Sequence, residues 1–321
     1  MTNSLLKKFI RNNAIVFILL NSAGLLSYIF QVVLGRTLPP DQYGSFNSLL
    51  ATGALITTPI TILHLVFSRF IARIKDQKLQ HIKSLLTLSL KFILCIALGI
   101  LLIGLSFSPW LKNFLNTETT LPIILMLLAA CFSSFQQIFI AVCEGMQRFL
   151  SLGMISGGGA LAKILFAILF VVILGWGVEG GLLALSFATF SALAYGIWQL
   201  QDVFKAQAVD LHSSSLMEMA RFSIPSFFMI TMVSIMCNID IVLARHYCPP
   251  DQAGYYATAT ILGRIAFFLP SSLLMVLFPS VAKATVSGSK DNHYLWVSLG
   301  LTFILSGGVF LVFFIAGQSI I

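Results

Sequence analysis

The sequence predicts an all-α polytopic transmembrane helix bundle of about nine spans, with one complete six-helix lobe and a partial second lobe. Three observations lead to this fold class: the composition, the recurrence of long apolar runs and an internal repeat. Of the 321 residues, 58% are hydrophobic and only 9% are charged, and the mean hydropathy is +0.96. A soluble domain carries about 25% charged residues. A water-soluble enzyme is therefore excluded first, because the surface of this chain requires lipid as its solvent.

Apolar runs of about 20 residues, the length that crosses a bilayer as a helix, recur along the whole chain. The predicted spans are residues 14–34, 43–68, 85–107, 121–143, 152–176, 180–200, 221–244, 254–281 and 294–316. The linkers between them are short and polar, and the longest covers residues 201–219. The predicted lobes are accordingly residues 1–208, with six helices, and residues 209–321, with three.

Basic residues divide unequally between the two sides of these spans. One side holds Lys7, Lys8, Arg11, Arg69, Arg73, Lys75, Lys78, Lys83, Arg148, Lys205, Arg221, Lys283 and Lys290, and the other holds Arg36, Lys112 and Arg245. Cytoplasmic loops collect Lys and Arg, so the net charge of +8 indicates orientation in a membrane rather than nucleic-acid binding. This asymmetry predicts a multi-pass membrane protein with a cytoplasmic N-terminus.

The most informative feature is an internal repeat. The chain reads GRTLPPDQYGSF after the first span and ARHYCPPDQAGYY after the seventh, with the PPDQ motifs 210 positions apart. Six helices lie between the copies, so both copies have the same orientation. Parallel repeats of this kind are a transporter architecture, in which the substrate binds between the two halves.

At these residues the chain resembles the polysaccharide-export flippases, the oligosaccharidyl-lipid branch of the superfamily that includes the multidrug and toxin extruders. The segments GRTLPPDQYGSFNSLLA, EGMQRFLSLGMISGGGALAKILFAILFV and NIDIVLARHYCPPDQAGYYATATILGRIAFFLPSSLLMVLFPSVAK carry this resemblance. It implies two helical bundles around a central cavity and alternating-access transport of lipid-linked sugars. The family usually has twelve to fourteen helices, whereas this chain ends after nine predicted spans.

Two cations are predicted deep inside spans. Arg264 lies ten residues into the eighth span, and Lys163 lies at a similar depth in the fifth. A charge at this depth is costly and therefore marks a functional site by default. Both cations suit an anionic substrate such as a diphosphate, and the resemblance supports Arg264 further. The alternative is that each side chain satisfies a neighbouring carbonyl or snorkels along its span.

Polar side chains also form a stripe on the first helix. Asn21, Gly24, Tyr28 and Gln31 share one face at i, i+3, i+7 and i+10 spacing. Such a face is expected to contact protein or a wet cavity rather than lipid. Asn21 and Gln31 are therefore candidate substrate contacts, and Asn47 on the second helix is a weaker one.

The repeat aligns Asp240 with Gln31 and Arg245 with Arg36. Asp240 is a candidate site for a coupling proton or sodium ion, and an ion pair with Arg36 or Arg245 is the alternative. The two arginines lie near headgroup depth, where each is expected to contact substrate or to act as an interfacial anchor. His64 is a weaker candidate for proton coupling. Glu144 is expected to pair with Arg148, four residues further on, and to stabilise a helix end.

No phosphate loop, zinc motif or nucleophile elbow occurs, and the five cysteines are scattered. We therefore expect no cofactor, metal, nucleic-acid partner or enzymatic step. The leading function is a flippase of undecaprenyl-diphosphate-linked oligosaccharide, with the bilayer and the glycan polymerase or glycosyltransferase machinery as partners. The alternatives are a multidrug or organic-cation antiporter of the same superfamily and an inactive truncated fragment that serves as a membrane scaffold.

Overall fold

The computed structural model describes residues 22–74, 79–209 and 213–268, and isolated positions between 300 and 311. The helices are α1 (22–37), α2 (Pro40–Ala72), α3 (Leu79–Ser106), α4 (Ser108–Phe114), α5 (Leu121–Gly145), α6 (Phe149–Ala167), α7 (Gly177–Gln199), α8 (Gln201–Lys205), α9 (Ser213–Tyr247) and α10 (Pro250–Phe268). No strand occurs within these ranges, so the predicted all-α class is confirmed. Residues 269–281 of the predicted eighth span, and all but isolated positions of the predicted ninth span, lie outside the described residues.

In the described part of the chain, six helical segments are long and apolar enough to cross a membrane. They are α2, α3, α5, α6 with its continuation to Ile173, α7 and α9. Each overlaps one predicted span. The short helices α4 and α8 occupy two segments that were predicted as linkers.

The PPDQ motif begins a helix in both copies, although it was predicted as a loop. Pro40 and Pro250 are the first residues of α2 and α10, and Asp41 and Asp251 lie in the first turns. Proline suits this position because its φ is already helical and the N–H it lacks would have no partner inside the helix. A carboxylate in the first turn is also stabilised by the helix dipole.

The fifth predicted span departs from a regular α-helix at its end. After Ala167 the chain continues as a π-helix, Ile168–Ile173, and then turns through Gly175 and Gly177, which have φ values of 66° and 54°. Only glycine adopts this left-handed conformation readily. The turn places Trp176 on Phe170, with ring centroids 5.4 Å apart and almost parallel planes.

Residues up to Gly254 form one compact unit, and those from Tyr255 onward form a second. In the first unit, α2 packs along both α5 and α9, while α7 packs on α5 and α6. Fully buried side chains of α2 such as Phe46 and Ile60 form its core. Large apolar side chains such as Leu102 and Met236 are exposed, as expected for helices in contact with lipid. The lobe boundary between residues 208 and 209 stays a prediction.

The two copies of the repeat lie against each other. A Cβ atom added to Gly44 would lie 2.8 Å from the backbone nitrogen of Gly254, and one added to Gly254 would overlap the carbonyl oxygen of Pro40. The first turns of α2 and α10 are thus packed backbone to backbone on one side of the protein, which we call the PPDQ end. This contact confirms that the two motifs lie on the same side, as a parallel repeat requires.

The Gly254→Ala variant is expected to be less stable by about 1–3 kcal/mol, the usual cost of overpacking a rigid contact. The matched control is Gly158→Ala in α6, where an added Cβ meets no atom within 4 Å. Thermal unfolding of both variants in detergent would check this. Equal melting temperatures for the two variants would contradict the close packing of the repeats.

Candidate functional site

A cavity of about 320 Å³ lies within the first unit, between α2, α5, α6 and α7. The polar side chains that line it are Thr57, Ser133, Gln136, Lys163 and Thr189, and the remainder of the lining is apolar. Among the described residues of this lining, Lys163 carries the charge. It lies 14 residues from the start of α6, which is about 21 Å along the helix axis and therefore mid-span.

The Lys163 ammonium is oriented by an aromatic ring. Its Nζ atom lies 5.4 Å from the ring centroid of Phe30 on α1, within the range of a cation–π interaction. The ammonium retains its three N–H donors in this arrangement. A cation with hydroxyl and amide neighbours, in a cavity whose described lining residues include no carboxylate, is suited to an anionic group.

The second deep cation, Arg264, lies on α10 in the second unit and is half-buried. Because α10 begins at Pro250 rather than at the predicted residue 254, Arg264 lies 14 residues into the helix, about 21 Å. Arg264 therefore lies about one helical turn further from the start of its helix than the sequence predicted. Its role as a substrate contact stays a prediction.

Two of the predicted polar candidates meet across the contact between α1 and α2. Gln31 Nε2 donates a hydrogen bond to Asn47 Oδ1 (3.3 Å), and the Tyr43 hydroxyl donates to Gln31 Oε1 (3.2 Å). Asn47 Nδ2 in turn donates to the carbonyl oxygen of Tyr43 (3.0 Å) and is buried. Gln31, one residue of the predicted polar stripe, therefore faces protein and joins the two helices, whereas Gly24 of the same stripe is exposed. Asn21 lies outside the described residues.

The PPDQ end is held by a buried arginine. Arg245 is 4% exposed; its Nε donates to the carbonyl oxygen of Leu115 (3.0 Å) and its Nη2 to that of Asn116 (3.0 Å). Its Nη1 donates to both the carbonyl and the carboxylate of Asp41, each at 3.2 Å. We call these contacts of Arg245 the outer clamp. They join the end of α9 to α2 and to the loop before α5, so Arg245 binds protein groups in this structure, and its role as a substrate contact or interfacial anchor stays a prediction.

The residues that the repeat aligns are not equivalent in their surroundings. Arg36 is exposed at the end of α1, whereas Arg245 is buried. Among the described residues, Asp41 forms an ion pair with Arg245, while the predicted pairing of Asp240 with Arg36 or Arg245 stays a prediction. Asp240 is half-buried on α9, near the PPDQ end, and its role in ion coupling stays a prediction.

A larger cavity of about 500 Å³ opens beside the outer clamp. Its lining includes Asp41, Gln42, Asn116, Glu118, Trp176 and Glu179. None of these residues was predicted as functional. The PPDQ motif was the available signal, but the loop before α5 and the turn before α7 are brought to it only by the fold.

The opposite end of the protein carries Arg69 and Arg73, and we call it the basic end. The ion pair of Glu144 with Arg148 that was predicted there is not formed. Arg148 instead forms a two-pronged ion pair with Asp202 of α8. The hydrogen bond from Arg148 lowers the pKa of the Asp202 carboxyl, and the same bond raises the pKa of Arg148. The depressed pKa means that this pair stabilises the fold above the ordinary pKa of Asp and that this stabilisation is lost on acidification.

Comparisons with known proteins bear on this geometry. The model of the polysaccharide biosynthesis protein family matches residues 10–285. No curated protein matches the chain. Among solved structures, an inward-facing multidrug resistance MATE family transporter of the MOP superfamily has a TM-score of 0.75 at 13% identity, over 92% of this chain and 70% of that one. The MATE multidrug transporter DinF-BH has a TM-score of 0.71 at 15% identity, over 97% and 73%.

At these low identities the solved structures show the fold alone, which is that of a membrane transporter and confirms the predicted bundle. The family model adds the identity, because it covers more than half of the sequence and includes the segments that carried the predicted resemblance. The chain belongs to the polysaccharide biosynthesis protein family.

Proposed function

We propose that the chain is a flippase that moves a lipid-linked oligosaccharide with an anionic diphosphate across the bacterial cytoplasmic membrane by alternating access. The observation that carries this proposal is the mid-span cavity with Lys163 in its lining. A carrier of a diphosphate needs a buried cation, because charge-assisted hydrogen bonds replace the water that the phosphates lose. The substrate class we infer is an undecaprenyl-diphosphate-linked sugar.

The roles of the other candidates follow from their contacts. Arg264 would provide a second cation at comparable depth, on α10. Gln31 and Asn47 hold α1 against α2, which is one of the helices that line the cavity. They would position α2 rather than bind the phosphates. Arg245 would keep the PPDQ end closed, while Arg36, which is exposed, would contact headgroups or the passing substrate.

Alternating access requires an end that closes and opens. With the N-terminus in the cytoplasm, the PPDQ end would face outward, and the outer clamp would hold it closed in this structure. Release of Arg245 from Asp41 would then precede exit of the substrate. Transport of this kind breaks no covalent bond, so we assign no enzymatic step. The glycan polymerase or glycosyltransferase machinery would supply and receive the substrate.

The alternative is a multidrug or organic-cation antiporter. The observation that favours it is the set of carboxylates, Asp41, Glu118 and Glu179, in the lining of the cavity at the PPDQ end. A cation carrier needs such groups at mid-span, where the structure has Lys163 instead. The third alternative, an inactive scaffold, predicts no transport of either substrate.

A transport assay separates these functions. The chain is reconstituted in liposomes with a fluorescent polyprenyl-diphosphate N-acetylglucosamine, with the same lipid sugar on a neutral linker, or with the cationic dye ethidium. We expect translocation of the diphosphate lipid, and at least about 10-fold less of the neutral one, from the loss of a charge-assisted hydrogen bond. Transport of ethidium without the diphosphate lipid would establish the antiporter, and transport of neither would favour the scaffold.

A further inference from the structure

We infer that His64, Glu144 and Gln137 form a proton-binding site at the basic end of the contact between α2 and α5. The inference deepens the proposed transport function, on which it rests, by naming the coupling cation and its residues. It differs from the candidate Asp240, which lies on α9 near the opposite end.

The imidazole of His64 lies between two oxygen atoms. Its Nε2 lies 2.8 Å from Glu144 Oε2, and its Nδ1 lies 3.0 Å from Gln137 Oε1. A neutral imidazole has one N–H donor and one bare nitrogen, whereas the protonated ring has two donors. An ionised carboxylate only accepts hydrogen bonds. Both contacts are therefore satisfied together when the ring carries the additional proton.

The pair opens to the surroundings through the Glu144 carboxylate more than through the His64 ring. The side chain of His64 is 22% exposed and that of Glu144 is 47% exposed. A proton can thus reach the pair from the water at this end, while the ring is largely enclosed.

Four basic side chains on the helices packed around this end contact groups other than His64. Arg148 binds Asp202, Arg73 binds Glu218 of α9, Arg69 lies over the Phe222 ring and Lys83 of α3 lies over the Phe204 ring. None of these contacts involves the His64 ring. The proton on His64 is therefore balanced by Glu144 rather than shared with this basic group.

The same two helices carry the proton site and the anion cavity. On α5, Gln137 binds His64 while its neighbour Gln136 lines the cavity of Lys163. On α2, Thr57 lines the cavity, and His64 follows it by seven residues, which places both on nearly the same helix face. Loss of the proton removes one contact between α2 and α5, and this change acts directly on the wall of the substrate cavity.

The test uses the full chain in liposomes and an imposed pH gradient. We expect the gradient to stimulate translocation of the polyprenyl-diphosphate N-acetylglucosamine lipid in the unmodified chain. His64→Gln and Glu144→Gln should lose this stimulation while they retain downhill exchange. His81→Gln, which changes a histidine of α3, is the matched control and should keep the stimulation. Unchanged stimulation in either His64→Gln or Glu144→Gln would overturn the inference while leaving the proposed function intact.

A second measurement does not depend on transport. Nitrogen-15 NMR of labelled histidine, with the His64 signals assigned from the His64→Gln variant, reports how many ring nitrogens carry a proton. We expect two protonated nitrogens in the unmodified chain and one in Glu144→Gln at the same pH. Identical ring signals in the two proteins would overturn the proton site even if no lipid were translocated.

Discussion

Replacement of Lys163 by Met is expected to reduce translocation of a diphosphate lipid by about 100-fold, because a hydrogen bond to a charged group contributes about 1.5–3 kcal/mol. Met keeps the length of the side chain and removes the charge. Since Lys163 lies beside Phe30 in a largely apolar wall, the variant should fold at least as well as the unmodified chain. Lys163→Arg retains the charge and should retain part of the activity.

The matched control for this result is Lys91→Met on α3. Lys91 also lies within a span, but its side chain is exposed on the outside of the bundle. Translocation by initial rate in liposomes, with melting temperature measured in parallel, separates a binding defect from a folding defect. An equal loss of activity in the two variants would show that translocation requires any positive charge within a span, and not the cation in the cavity specifically.

The Arg245→Ala variant is expected to lower the free energy of unfolding by about 3 kcal/mol, because the buried carbonyl oxygens of the outer clamp lose their donor. Three segments are released together: the end of α9, the start of α2 and the loop before α5. Arg245→Lys should recover only part of this loss, since one ammonium cannot reproduce the fork of a guanidinium. Chemical denaturation in detergent measures the difference.

The internal repeat supplies the control. Arg36→Ala removes the arginine at the aligned position of the first copy, but Arg36 is exposed and should change stability by no more than about 0.5 kcal/mol. An equally small loss in the two variants would mean that the contacts of the outer clamp contribute little to stability.

Much of the fold was predictable from residues close in sequence. Apolar runs located every described span, because bilayer thickness imposes one helix length. The repeated PPDQ motif predicted that both copies lie on the same side, and the contact of Gly44 with Gly254 agrees with this, while the parallel repeat of the two lobes stays a prediction. The predicted helix starts were three or four residues late at both motifs, since polar residues were assigned to a loop although proline and aspartate suit a first helical turn.

Pairing between side chains was predictable only in part. Lys163 was located as a mid-span cation, but its cavity and Phe30 neighbour depend on how α1, α5 and α7 pack around α6. Glu144 was predicted to pair with Arg148, one helical turn away, whereas it contacts His64, 80 positions earlier in the chain. A pair at i, i+4 is favoured by only a few tenths of a kcal/mol, so one packed helix is enough to redirect it.

The sequence by itself determined that lipid surrounds this protein, where the chain crosses the bilayer and where its motif repeats, while the orientation that its charges imply stays a prediction. These are properties of single helices, and hydrophobic length, proline position and charge asymmetry act locally. Only the tertiary structure decided which polar groups contact each other, namely Arg245 with Asp41 and His64 with Glu144. It also decided that Lys163 lines a cavity. The reason is that contact across helices depends on their rotation and depth, and inside a bilayer each buried polar group takes the partner that packing brings within hydrogen-bonding distance.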